Sequence, residues 1–172
     1  MIIQVGGLTF DFPATWSVTQ YDDWPFYRNQ FQACCNGNKA VDLLALDPSD
    51  GTLWLVEVKD YRQHPRSKPL TPWDEMAQKA RDTLAGLVAA QYNSAPPESA
   101  HAHAAVRARK LHIVLHLEQP AKASKLFPRV FDLADVQQKL RQLIKPLDPH
   151  PLVVDMDRLG SVAWTVRSGA QR

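Results

Sequence analysis

The chain has 172 residues, of which 45% are hydrophobic and 22% are charged, and its formal net charge at pH 7 is +2. This composition excludes a disordered or fibrous protein, and a single domain of this length, residues 1–172, can bury roughly 70% of its unfolded surface. The near-neutral charge permits a nucleic-acid partner without requiring one.

Two further features of the sequence concern location and redox state. No apolar run approaches the ~18 residues of a membrane span, and the first residues lack the basic region of a signal peptide. We therefore expect a cytoplasmic protein. The two cysteines, Cys34 and Cys35, are adjacent and too few for a disulfide framework, so we expect buried, reduced thiols.

The N-terminal part of the chain predicts a β-hairpin followed by a helix. Residues 2–5 and 8–12 alternate around a pair of glycines, which indicates a tight turn. Asp22 belongs to a group of helix-start residues, and Asn36-Gly37-Asn38 would end that helix. The prediction is a helix over about 22–35.

A hairpin over residues 39–59 is the best-defined element of the sequence. Two apolar runs flank the turn signal Pro48-Ser49-Asp50-Gly51. A symmetric hairpin pairs residues whose numbers sum to 99, so Asp42 lies opposite Glu57, with Lys59 on the same face. Two like charges about 5 Å apart are destabilising. We therefore expect a cation between the two carboxylates.

A cationic loop over residues 60–69 leaves the second strand directly after Lys59. It carries Arg62, Arg66 and Lys68, whose charges would surround whatever binds at the carboxylates. Such a loop is usually only solvated surface, and that alternative stays open.

The second half of the chain predicts two helices, a strand and a hairpin. Thr71 and Asp132 are N-cap residues of the two helices. The segment 93–108 is either a loop or a helix. In order, the elements are a helix to about Tyr92, a strand over 110–117, a helix ended by Pro146, and a hairpin of 152–155 with 162–166. The fold class is α/β, a mixed β-sheet flanked by helices.

The placement of Asp42 and Glu57-Val58-Lys59 on adjoining strands resembles the PD-(D/E)XK nuclease superfamily. The resemblance covers about 22–117 and implies a restriction-endonuclease-like core of αβββαβ type, with N- and C-terminal β-hairpin additions and a C-terminal helix packed on it. It also implies a site in which Asp42, Glu57 and the Val58 carbonyl bind Mg²⁺ or Mn²⁺. Lys59 would position the attacking water. Hard oxygen ligands with open positions suit these ions independently of the resemblance.

The function that this resemblance implies is metal-dependent hydrolysis of phosphodiester bonds, in DNA more than in RNA. A specific nuclease of this size would need a homodimer or a partner protein. The residues expected to contact nucleic acid are Arg62, Arg66, Lys68, Gln78 and Lys79.

Several alternatives remain open from the sequence. Residues 24–35 contain no Glu, which many members of the superfamily carry there, so Gln30 or a water would have to replace it. One alternative is an inactive nuclease-like domain that binds nucleic acid or a protein partner. Another is an interaction domain without metal, in which Glu57 and Lys59 form only a surface salt bridge.

Overall fold

The computed structural model describes residues 1–63, 69–120 and 130–169. Its helices are α1 (Pro72–Asn93), α2 (Glu98–Val106) and α3 (Leu133–Ile144). Its strands are β1 (Ile2–Val5), β2 (Leu8–Asp11), β3 (Ser17–Gln20), β4 (Leu43–Asp47), β5 (Thr52–Asp60), β6 (Lys110–Glu118), β7 (Leu152–Val154) and β8 (Thr165–Ser168). They form a three-stranded sheet, β1-β2-β8, and a five-stranded sheet, β3-β4-β5-β6-β7. The predicted α/β class, a mixed sheet with helices, is confirmed.

The strand β5 lies at the centre of the larger sheet and separates its antiparallel and parallel halves. It pairs antiparallel with β4 and parallel with β6. A parallel pair needs a long crossover, and α1 and α2 provide it. Through α3, a second crossover adds β7 parallel to β6. The segment 93–108, left open by the sequence, contains α2.

The register of the β4–β5 hairpin is the one that the turn sequence predicts. Leu43 pairs with Val56 and Asp47 pairs with Thr52, so paired residues sum to 99. Gly51 takes a left-handed conformation with φ of 71°, which favours glycine. This register fixes which face of the sheet each charged residue occupies.

Two of the predicted N-caps are present. The side chain of Thr71 accepts a hydrogen bond from the backbone N–H of Asp74, at 3.2 Å. Asp132 accepts one from the N–H of Ala134, at 2.8 Å. Because the caps satisfy donors that a helix leaves unpaired, they fix where α1 and α3 begin.

The regular helix predicted over about 22–35 is wrong. The chain instead forms a 3₁₀ turn at Tyr21–Asp23, a π-helical turn at Tyr27–Phe31 and a second 3₁₀ turn at Cys34–Asn36. Its aromatic side chains, among them Tyr21 and Tyr27, are buried in the main core. A regular α-helix would turn some of these side chains toward solvent. The change between 3₁₀ and π-helical turns lets them face the core.

The predicted C-terminal hairpin of 152–155 with 162–166 is also wrong. A turn is present, because Arg158 donates its N–H to the carbonyl of Asp155 at 3.1 Å. The two arms, however, pair in different sheets, β7 with β6 and β8 with β2. The N-terminal hairpin of β1 with β2 is confirmed.

The larger sheet has a different core on each of its faces. One face, with Leu55, packs against the helices. The other, with Val56, packs against the smaller sheet and a group of aromatic residues in and next to it, which are Phe10, Phe12, Trp16 and Trp164. Successive residues of β5 therefore alternate between the helices and the smaller sheet. Among the described residues, no helix is long and apolar enough to cross a membrane.

Candidate functional site

Asp42 and Glu57 meet at the end of β4, as the register predicts. Asp42 directly precedes Leu43, the first residue of β4, and Glu57 directly follows the Val56 with which Leu43 pairs. The carboxylate of Asp42 accepts a hydrogen bond from the backbone N–H of Val58 at 2.6 Å. Asp42 lies just before the first residue of β4. Its carboxylate therefore accepts the hydrogen bond that a backbone carbonyl of a longer β4 would accept from Val58. Glu57 is fully buried, at 0% exposure.

The cations next to these carboxylates are two lysine ammonium groups. Lys59 Nζ and Lys79 Nζ each lie 2.6 Å from Oε1 of Glu57. Lys79 Nζ is also 4.0 Å from Oδ1 of Asp42, and Lys59 Nζ is 3.4 Å from Oε1 of Glu75. Glu75 and Lys79 are four residues apart on α1, which places them on one face of that helix.

A further carboxylate, that of Asp22, lies beside the cluster. It is close enough for its charge to act on Asp42 and on Glu57. Two buried oxygens, Oε2 of Glu57 and Oδ1 of Asp22, have no hydrogen-bond partner in the part of the chain that the structure describes. Buried anionic oxygens of this kind attract a further cation.

The electrostatics of the cluster change the pKa values of its members. Burial and then the charge of Glu57 raise the pKa of Asp42 to about 7. Burial by itself would lower the pKa of Lys59, but the charges of Glu57 and Glu75 outweigh it and raise that pKa. Lys59 therefore stays protonated, whereas Asp42 changes its charge near neutral pH.

A groove of about 400 Å³ opens beside the cluster. Lys79 and Glu75 line it from α1, so the groove reaches these two members of the cluster. The other lining residues come from the irregular segment before β4: Asp22, Tyr27, Arg28, Gln32, Asn38, Lys39 and Ala40.

The other predicted site residues are not all part of this cluster. Arg62 forms an ion pair with Asp60 at 2.6 Å and donates to Ser168 Oγ at 2.9 Å, on the side of the smaller sheet. The expectation that Arg62 surrounds the carboxylates is therefore wrong. Gln78 is half-buried on α1. Arg66 and Lys68 lie outside the described residues.

Sequence reasoning missed two members of the cluster. Asp22 was interpreted only as a helix-start residue, and Glu75 was not identified as a candidate. The signal for Glu75 was its spacing of four from Lys79. The suggested substitute Gln30 lines a different cavity, together with Pro25 and Phe26. Within the described residues, no three His, Cys, Asp or Glu side chains converge as a metal-binding group.

The fold and the site define an α/β protein with a buried carboxylate–lysine cluster at the centre of a mixed sheet. No protein-family model and no solved structure matches the chain. The sequence is similar to a cysteine–tRNA ligase of Neisseria meningitidis (serogroup A, serotype 4A), with 31% identity over 208 aligned positions. The match includes 96% of this chain but only 29% of the length of the ligase.

This similarity corrects the assignment to the PD-(D/E)XK nuclease superfamily. The relative is named as a tRNA ligase, and no nuclease family matches, so the predicted phosphodiester hydrolase is wrong. The physical reason for the wrong assignment is that a motif of two carboxylates and one lysine is short. The same residues also occur where buried opposite charges only neutralise one another. Glu57 and Lys59 do form an ion pair, but a buried one rather than one at the surface.

Proposed function

We propose that this chain is a tRNA-binding unit that acts in the aminoacylation of tRNA. The observation that carries this proposal is the similarity to a cysteine–tRNA ligase over nearly the whole chain. Since the chain spans only 29% of that ligase, we assign to it the binding of RNA and not the whole ligation reaction. Ligation by this chain itself is the alternative, and it is tested separately below.

The groove beside the carboxylate–lysine cluster is the RNA-binding surface in this proposal. Three cationic residues, Arg28, Lys39 and Lys79, line it together with the acidic residues Asp22 and Glu75. Phosphate oxygens are the natural partners of such cations, and most of the affinity for nucleic acid comes from them. The relative's name favours RNA over the DNA expected from the sequence motif.

A divalent cation, Mg²⁺ or Mn²⁺, would complete the site. Asp42 and Glu57 supply two carboxylates, and Oε2 of Glu57 is a buried oxygen without a hydrogen-bond partner among the described residues. The Val58 carbonyl belongs to the same ligand set, because the N–H and C=O of one strand residue point to the same edge, and the N–H of Val58 meets Asp42. Mg²⁺ commonly binds to one or two carboxylates and keeps its other positions for water and phosphate. The ion would supply a contact to a phosphate oxygen, and Lys59 holds Glu57 in place.

The finer description of the fold also belongs to this proposal. We infer that β3 to β6 with their helices retain a restriction-endonuclease-like arrangement, used as a scaffold without the nuclease reaction. The partner protein expected from the sequence would then be a ligase body, in preference to a second copy of this chain. A role with tRNA fits the cytoplasmic location that the sequence predicts.

Binding of labelled cysteine tRNA, followed by fluorescence anisotropy across a salt series, tests the proposal. We expect tRNA to bind more tightly than duplex DNA of similar length. Lys39→Ala and Arg28→Ala should each weaken binding and reduce the salt slope by about one counterion. Lys145→Ala, which removes an exposed cation beyond α3, is the matched control and should change neither.

The proposed metal site is tested by substituting its ligands. The Mg²⁺ concentration is kept constant, because chelation would also unfold the tRNA. Asp42→Asn should weaken tRNA binding, whereas Asp157→Asn, at an exposed position, should not. Equal affinity for tRNA and DNA would contradict the proposal. Transfer of radiolabelled cysteine to tRNA by the isolated chain would instead support the alternative, ligation by the chain itself.

A further inference from the structure

Cys34 and Cys35 form a pair of neighbouring thiols on the surface. Their sulfur atoms lie 3.4 Å apart, and both residues are exposed, which corrects the expectation of buried thiols. They are the only two cysteines in the sequence. A thiol that reacts at either residue therefore has one partner within the same chain, and that partner is already in contact with it.

The backbone around the two thiols holds them side by side. Cys35 has φ of 52° and Asn36 has φ of 69°, both in the left-handed region. The side-chain amide of Asn38 donates to the carbonyl of Phe31 at 2.9 Å and to that of Cys34 at 2.6 Å. A left-handed residue other than glycine is unfavourable and persists where its surroundings fix it. These hydrogen bonds fix the turn, and the turn presents both sulfurs to solvent.

We propose that Cys34 and Cys35 are a redox-active dithiol that small-molecule disulfides of the glutathione type oxidise to an intramolecular disulfide. In the first step, one thiolate attacks a sulfur of the small disulfide, forms a mixed disulfide and releases one small thiol. In the second, the neighbouring cysteine attacks the mixed disulfide and releases the second small thiol. The protein loses two electrons and two protons, and the small disulfide gains them.

Either sulfur can attack first, because both residues are exposed and their sulfur atoms are in contact. The other sulfur then resolves the mixed disulfide.

The product is a strained and therefore easily reduced disulfide. The Cα atoms of adjacent residues are about 3.8 Å apart across a trans peptide, whereas most disulfides join Cα atoms roughly 4.4–6.8 Å apart. Strain makes a disulfide more reducible, so the site returns to the dithiol when reductant is present. This inference does not depend on the proposed binding of tRNA.

Intact-mass spectrometry of the full chain during titration with glutathione disulfide tests the inference. In the wild type we expect a mass lower by two hydrogen atoms, located by peptide mapping to the bond between Cys34 and Cys35, and reversed by dithiothreitol. The variants Cys34→Ser and Cys35→Ser should instead accumulate one glutathione adduct.

Three results would overturn the inference. They are a stable glutathione adduct on the wild type, a disulfide between two chains, and an unchanged mass under conditions in which iodoacetamide alkylates both thiols. Circular dichroism spectra matching the wild type would establish that both variants are folded.

Discussion

The ammonium group of Lys79 on α1 lies 2.6 Å from Oε1 of Glu57 on β5, with side-chain exposures of 14% and 1%. This ion pair is almost wholly buried and joins the helix to the centre of the sheet. A buried pair is only weak evidence for net stability, but removing one of its partners leaves a charge without compensation. The first prediction uses that asymmetry.

Glu57→Gln should lower the free energy of unfolding by about 3 kcal/mol, because it leaves the ammonium groups of Lys59 and Lys79 without their shared counterion. Adding Lys79→Met to this variant should recover part of the loss, since Lys79 would otherwise keep only its 4.0 Å contact with Asp42. Urea denaturation of the single and double variants measures both effects. A further loss of stability in the double variant would contradict the charge-balance explanation.

The pH dependence of stability should reflect Asp42, whose pKa rises from 3.8 to about 7 on folding. Between these values the native state holds a proton that the unfolded state has released, so this group makes stability fall as pH rises from 4 to 7. The effect is up to about 4 kcal/mol. In the metal-free protein, Asp42→Asn should flatten this part of the profile and be neutral or stabilising at pH 7.

Urea denaturation at intervals of pH, with Asp157→Asn as the matched control, measures this effect. The control should keep the wild-type profile. A profile for Asp42→Asn that is as steep as that of the wild type would show that another group dominates.

Mg²⁺ should raise the melting temperature of the wild type, because a ligand that binds only the native state stabilises it by mass action. The increase should disappear in Asp42→Asn and persist in Asp157→Asn. Differential scanning fluorimetry across a Mg²⁺ series, repeated with Mn²⁺, provides the measurement. An increase that persists in Asp42→Asn would place the ion elsewhere.

Gly86→Ala should destabilise the protein, although the same change in an exposed helix usually stabilises by up to about 1 kcal/mol. A Cβ at this position would lie 2.0 Å from the hydroxyl oxygen of Tyr21 and 3.0 Å from the ring of Phe31. We expect a loss of about 1–3 kcal/mol from this overpacking. Combining the change with Tyr21→Phe, which removes the hydroxyl, should restore part of the stability.

Ala85→Gly, at the exposed position next to Gly86, is the control for helix propensity in Gly86→Ala. It should cost about 1 kcal/mol. Thermal or urea unfolding of the three variants gives the comparison. A stabilising effect of Gly86→Ala would contradict the close approach of Tyr21 to α1.

Turn and capping residues in the sequence were sufficient to predict those elements whose position depends on neighbouring residues. The turn at Pro48–Gly51 predicted the register of β4 with β5, and the caps Thr71 and Asp132 predicted where α1 and α3 begin. The register in turn brought Asp42 and Glu57 together. Their role in binding metal or RNA stays a prediction.

Long-range packing determined the parts that could not be predicted. Leu152–Val154 and Thr165–Ser168 alternate like the arms of one hairpin, yet their partners are β6 and β2, which no local pattern identifies. Likewise, Asp22 and Glu75 enter the site only because of how their elements lie on the sheet. A motif of three residues, Asp42, Glu57 and Lys59, was too short to distinguish a nuclease from another protein with the same charges.

The pairing of β2 with β8 has a consequence for how the protein is made. Leu8 and Ser168 are register partners although they lie far apart in the sequence. On the ribosome, the smaller sheet cannot be completed until β8 has been synthesised, because contacts between distant residues form late. Trp164, which directly precedes β8 and packs against Phe12 and Trp54, is also unavailable until then. Phe12 and the neighbouring aromatic residues of this face therefore lack these partners until Trp164 and β8 have been synthesised, and in that interval their apolar surface can promote aggregation.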